Sequence, residues 1–206
     1  MNPTPTPQPL IEESLSSAID PAVLERLHRR LEDAAADDDL LDVSYRTVDT
    51  PVGPLLLAAT PRGLVRVAYA IEGHDHVLET IASRISPRIL RSGNRLDAAA
   101  RELDEYFAGT RHTFDLPLDF SLSRGFRRLV QQQLPDIAYG QTRSYGQVAS
   151  LVGNPRAVRA VGTACATNPL PVVLPCHRVV RSDGTLGNYA GGPEAKEILL
   201  RFEGAA

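Results

Sequence analysis

The stretch "RSYGQVASLVGNPRAVRAVGTACATNP", residues 143–169, leaves a chain few choices of local structure. Ser144 and Gln147 form an S-x-x-Q capping box, in which each side chain satisfies the other residue's backbone N–H, so a helix starts at Tyr145. Val148, Leu151 and Val152 make its apolar stripe, and Gly153 stops it. Asn154 can cap a second helix with Pro155 at its first position, where the missing N–H costs nothing. This second helix is expected to run to Ala166, ended by Asn168–Pro169. Two short helices on a tight "GNP" turn make a helix-turn-helix. Helical hairpins also occur in proteins that never meet nucleic acid, so the faces of the second helix matter. Val158, Val161 and Cys165 share a side that should point inward, and Arg159, Ala160, Thr163 and Ala166 occupy the other. A helix that reads base edges in the major groove presents Arg, Asn, Gln or Lys. A nearly bare helix can instead enter the minor groove, with one long side chain as a wedge. The competing reading is a small-residue helix packed against a neighbour.

A thiol follows soon after. "NPLPVVLPCHRVVRSDGTLGNYAGG" places Cys176 and His177 behind a proline-bounded apolar run read as a strand, with an "SDG" turn and a glycine-rich loop beyond. Burial raises a thiol's pKa, so a reactive cysteine in this setting needs an activating base. His177 is the candidate. Neighbours in extended chain point to opposite sides, so a bridging water is easier than direct contact. The histidine needs an acid to orient it, and the C-terminal helix offers Glu194, Glu197 and Glu203. The plainer reading of Cys176 is a small core hydrophobe.

The rest of the chain sets the frame. Its 206 residues suit one domain or two small ones, and 43% apolar residues suffice for real cores. No run approaches the ~18 apolar residues of a membrane span, and "MNPTPTPQPL" lacks the regions of a signal peptide, so a cytoplasmic, reduced setting is expected. Cys165 and Cys176, the only two cysteines, make neither a disulfide framework nor a zinc site, and no metal or cofactor is expected. The formal net charge of −3 hides a split: residues 1–110 hold 11 basic and 18 acidic groups, and residues 111–206 hold 11 and 7. A basic half following an acidic one hints at a polyanionic partner.

Residues 1–42 read as an extension. Its Pro/Thr-rich start is expected to be disordered. Asp20–Pro21 then opens a helix carrying Val23, Leu24, Leu27 and Leu31, and the acidic run Asp37 to Asp39 closes the extension. From Val43, "VSYRTVDT", "GPLLLAATPRG" and "LVRVAYA" are strand-like runs between turns, which suggests an antiparallel meander. Helices near 75–85 and 96–108 follow, "TFDLPLDF" can add a strand, and His74 and His76 read as surface residues. "SRGFRRLVQQQL" opens the second half as a helix with Phe126, Leu129, Val130 and Leu134 on its buried side.

"PCHRV", with "SYGQVA…GNPRAVRAVG…NP" before it and "GNYAGG…K…LL…EG" after it, resembles the O6-alkylguanine-DNA alkyltransferases, also called methylated-DNA–protein-cysteine methyltransferases. The resemblance is dense from Phe126 to Gly204, looser over 43–115, and absent from the first forty residues. It implies an α+β fold. A small antiparallel-sheet, ribonuclease H-like domain (43–118) precedes a mainly helical domain (119–206) with a helix-turn-helix and the active-site cysteine. Cys176 would accept the alkyl group from O6 of guanine, His177 would draw its proton through a water, Glu203 would hold the histidine, and Asn168 would brace the turn. Tyr145 would crowd the target's 3′ phosphate and donate a proton to the leaving guanine. Arg159 would fill the vacated base stack, with Ala160 and Thr163 beside it against DNA. Val179, Tyr189 and Ala190 would line the guanine pocket: the carbonyls of Cys176 and Val179 would accept from the guanine amino group, and the Ala190 amide would face O6. The partner implied is double-stranded DNA containing O6-alkylguanine, with O4-alkylthymine a further candidate, met by a monomer without a membrane. The alternative is a non-catalytic protein that binds alkylated DNA; relatives of that kind lack the acceptor cysteine.

Overall fold

Strand β2 (Leu55–Thr60) is buried at all six positions, which requires cover on both faces. The period of two deals its residues out: Leu55, Leu57 and Ala59 face one core, Leu56 and Ala58 another. β1 (Val43–Val48) and β3 (Gly63–Tyr69) flank it as the antiparallel meander read from the sequence. Helix α2 (His74–Arg84) packs Val77 and Ile81 on the smaller core. The chain then returns as β4 (Ile89–Arg91), parallel to β1, giving the order β3-β2-β1-β4. This fourth strand was not expected; three residues are too few to set up a period.

The computed structural model describes residues 20–37 and 40–205. Two compact units divide the chain, Met1–Leu41 and Asp42–Ala206. In the first, α1 (Pro21–Asp37) starts where Asp20 Oδ1 accepts from Ala22 N at 2.9 Å. Leu24, Leu27 and Leu31 stand exposed along it. The Pro/Thr-rich start and Asp38–Asp39 lie outside the described residues. Among these residues no helix is long and apolar enough to cross a membrane.

"TFDLPLDF" forms no strand. Leu64 donates to Pro117 O at 2.8 Å and accepts from Asp119 N at 2.8 Å, and pairing ends in that single bridge. Pro117 has no N–H to extend a ladder. The approach is so close that a Cβ on Gly63 would lie 2.1 Å from Pro117 O. His74 is half-buried and His76 exposed.

The larger core runs without a break from the sheet through α3 (Asp97–Phe107) into the C-terminal half. There α4 (Gly125–Gln133) buries Val130 and Gln131, whose Nε2 donates to Ala164 O at 3.1 Å. Leu134 is buried just past the helix, but Leu129, expected inside, is exposed. The inward row is 126, 130 and 134, one turn apart, which turns 129 to solvent. α5 (Tyr145–Leu151) and α6 (Val158–Ala166) form the helix-turn-helix. The capping box has both of its bonds, Gln147 N to Ser144 Oγ at 3.2 Å and Ser144 N to Gln147 Oε1 at 2.7 Å. Leu151 and Val158, both expected inward, are exposed, because each sits where its helix meets the connecting turn. α6 starts three residues later than expected: Ala157 N bonds Asn154 O at 2.9 Å, so residues 154–157 are a separate turn and Asn154 does not cap. Two-residue strands β5 (Arg143–Ser144) and β6 (Val179–Val180) pair in parallel and tie the start of α5 to the cysteine segment. α7 (Gly192–Phe202) closes the fold.

Candidate active site

The run before Cys176 is not a strand either. Pro169, Pro171 and Pro175 cannot donate to a ladder, and Leu174 N instead bonds Leu170 O at 2.8 Å, closing a buried turn. Within it Val172 has φ 70°, a left-handed conformation that costs a β-branched residue energy. Pro175, at φ −78° and ψ 62°, forms an inverse γ-turn in which Cys176 N donates to Leu174 O at 2.7 Å. Cys176–Arg178 continue as a single 3₁₀ turn, so Cys176 and His177 are not on opposite sides of an extended segment.

Asn168 locks this turn. Its Nδ2 donates to Leu174 O at 2.9 Å and to Cys176 Sγ at 3.1 Å, and its Oδ1 accepts from Leu170 N at 3.0 Å. Cys176 is buried, and burial pushes its thiol up to about 11 against the opposing pull of the Asn168 amide and the Lys196 ammonium. Little thiolate exists at neutral pH without a proton acceptor.

The candidate acceptor is its neighbour in sequence. His177 is wholly buried, with Nε2 2.9 Å from Glu203 Oε1. A carboxylate can only accept, so Nε2 carries the hydrogen and Nδ1 presents a lone pair. That Nδ1 is buried and has no partner among the described residues. Burial also holds His177 below its ordinary value, outweighing the Glu203 carboxylate, so the ring is neutral near pH 7. Glu194 and Glu197, the other acids considered, are exposed on α7.

Glu203 has further partners that sequence reasoning missed. Arg178 grips it in a fork, Nε to Oε2 at 2.8 Å and Nη2 to Oε1 at 2.9 Å, while Nη1 donates to Ile137 O at 2.6 Å. The Tyr106 hydroxyl, from α3, donates to Oε1 at 2.6 Å. Burial alone would raise Glu203, but the bonds from His177, Arg178 and Tyr106 hold it down at about 2. Lys196 is also fully buried, its Nζ donating to Val179 O at 2.6 Å and lying 5.9 Å from the centre of the Tyr145 ring. Two signals were available: Arg178 is a charge inside an apolar run, and Lys196 falls on the stripe of Ala195, Leu199 and Leu200.

The remaining expected residues divide into two groups. Tyr145 is half-buried and packs on the loop before α7; a Cβ on Gly187 would lie 2.0 Å from its hydroxyl. Burial raises that phenol to about 12, so it keeps its proton. Val179 and Tyr189 are buried and Ala190 half-buried, and the Tyr189 ring meets His177 edge-on at 6.2 Å. Arg159, Ala160 and Thr163 stand apart from this cluster, exposed on the outer side of α6. No group of three or more candidate metal ligands occurs among the described residues.

The structure thus brings together a buried thiol held by Asn168 and a buried His177–Glu203 pair, in a half of the chain that carries a helix-turn-helix. Two family models match: "6-O-methylguanine DNA methyltransferase, ribonuclease-like domain" over residues 43–120, and "6-O-methylguanine DNA methyltransferase, DNA binding domain" over 125–205. The methylated-DNA–protein-cysteine methyltransferase of Methanosarcina barkeri is 38% identical over 159 residues, 77% of this chain and 96% of that protein. The constitutive one of Bacillus subtilis is 39% identical over 77% of this chain and 94% of its own length. The crystal structure of Mycobacterium tuberculosis OGT in complex with DNA superposes with a TM-score of 0.67 at 37% identity, covering 79% of this chain and 93% of that one. The chain belongs to the 6-O-methylguanine DNA methyltransferase family, and its enzyme class is that of the methylated-DNA–protein-cysteine methyltransferases.

Proposed function

We propose that this protein repairs DNA by moving the alkyl group of O6-alkylguanine irreversibly onto Cys176, one event per chain. One observation carries the reading: the unpartnered, buried Nδ1 of a neutral His177, the residue that follows the buried Cys176, with Glu203 fixed on Nε2. A water between Nδ1 and Sγ passes the thiol proton to the ring, and Glu203 stabilises the imidazolium that forms. The thiolate attacks the alkyl carbon, a C–S bond forms, and the C–O bond breaks with its electrons going to O6. Tyr145 gives the leaving guanine its proton. A thioether offers no easy leaving group, so the thiol is not regenerated.

DNA as partner is supported by the relative whose structure holds DNA, by the match to the DNA binding domain, and by the exposed, small-residue face of α6. O6 is hidden inside a duplex, so the nucleotide must be extruded at a cost of roughly a few kcal/mol. Ala160 and Thr163 allow close approach in the minor groove, and Arg159 fills the gap in the stack. Val179, Tyr189 and Ala190 receive the guanine. Cys176→Ala is expected to abolish transfer from O6-methylguanine duplex while duplex affinity stays near wild type. Loss of most binding in that variant contradicts the assignment.

A further inference from the structure

From the N-terminal half, strand β3 holds the two segments that would wall the proposed guanine pocket, the turn after Asn168 and the loop around Tyr189. Toward one wall, Val67 N donates to Pro169 O at 2.8 Å, and Arg66 Nη1 donates to the same carbonyl at 3.2 Å. Arg66 is itself fixed by Glu72, whose Oε1 accepts from Tyr69 N at 2.9 Å. Pro169 follows Asn168, the residue bonded to the Cys176 thiol. Toward the other wall, the Tyr69 and Tyr189 hydroxyls are 2.9 Å apart and their rings meet edge-on at 5.6 Å. The Tyr69 ring lies against the backbone of Gly191, where a Cβ would sit 2.7 Å from two ring atoms.

Both phenols are buried, at 2% and 8% exposure, so each hydroxyl depends on the other for a partner. Cutting the bond from the Tyr69 side strands the Tyr189 hydroxyl in an apolar site and frees that ring to turn. We infer that Tyr69 is a specificity-determining residue: its hydroxyl pins Tyr189 and thereby sets the width of the pocket on the alkyl side, in favour of small alkyl groups. This rests on the alkyl-transfer reading above. The Tyr69 hydroxyl bonds Tyr189 and not the Cys176 thiol, so it acts as a positioning residue through Tyr189.

The test is single-turnover transfer from duplexes carrying O6-methylguanine or O6-benzylguanine. It compares wild type with Tyr69→Phe, Tyr189→Phe and the double variant. Tyr69→Phe keeps the ring on Gly191 and removes only the hydroxyl. The benzyl-to-methyl rate ratio is expected to rise about tenfold in either single variant. The double variant should go no further than one single, because both cut the same bond. An unchanged ratio in Tyr69→Phe, or an equal fall in both rates as a merely structural role predicts, overturns the inference while leaving alkyl transfer standing. Wild-type protein that transfers from neither duplex overturns the alkyl-transfer reading, and the inference with it.

Discussion

At the scale of single residues, Glu203 carries the most. Its carboxylate takes bonds from His177, Arg178 and Tyr106, and these pull it from the ordinary 4.5 to about 2. A folded value below the unfolded one means that the stabilisation is complete above about pH 4.5 and is lost as pH falls toward 2. The difference is worth about 3 kcal/mol. Glu203→Gln should therefore flatten acid unfolding in that window. It should also cost about 3–5 kcal/mol at neutral pH by leaving Arg178 buried and unpaired, as chemical denaturation would measure. Acid unfolding identical to wild type would contradict the network. His177→Gln should act on rate: transfer near pH 7 is expected to fall by about 10²–10⁴. It should recover as pH climbs toward the thiol's own value of about 11. A wild-type rate at neutral pH in that variant would rule out the relay. Cys176, His177, Asn168 and Glu203 were named through the family resemblance of short motifs, since the residues alone left Glu194 and Glu197 open beside Glu203. Tyr106 was not, because it meets Glu203 across 97 residues and no local pattern records such a contact.

At the scale of elements, one of the two caps read in the helix-turn-helix formed, at Ser144, and the other, at Asn154, did not. The Ser144–Gln147 box was legible because both bonds are made within four residues. Ser144→Ala should cost about 1 kcal/mol in thermal or chemical unfolding. Leu129, Leu151 and Val158 were misread, since an apolar residue at helical spacing does not reveal which side its neighbours leave open. The strand expected before Cys176 failed for a local reason that three prolines already announced. For α6, Arg159→Ala should slow transfer from matched duplex far more than from free O6-benzylguanine, which has no stack to fill. The penalty should shrink when the lesion lies opposite a mismatched base, already easier to extrude. Equal fold-losses on all three substrates in single-turnover assays would mean that Arg159 supports the fold and is no wedge.

For the whole molecule, the larger core joins sheet and helices across both matched halves, so the N-terminal half reaches the cysteine segment. That half supplies Tyr106 to Glu203 and Tyr69 to Tyr189, so the site is assembled from distant parts of the chain. The sequence showed an antiparallel layer followed by helices but gave no sign of this joint, because sheet and helix patterns say which faces are apolar and not which faces meet. Two charges are buried beside that core: Arg178 is paired with the Glu203 carboxylate, and Lys196 donates to Val179 O and pulls against the burial of the Cys176 thiol. The central claim is that Cys176 is consumed once per chain, and intact mass spectrometry after exposure to excess O6-methylguanine duplex measures it most directly. The account predicts a gain of one methylene per chain, located on the Cys176 peptide, with the methyl group lost from the DNA in equal amount. Repeated demethylation by a protein of unchanged mass, or a gain on any other residue, would contradict it.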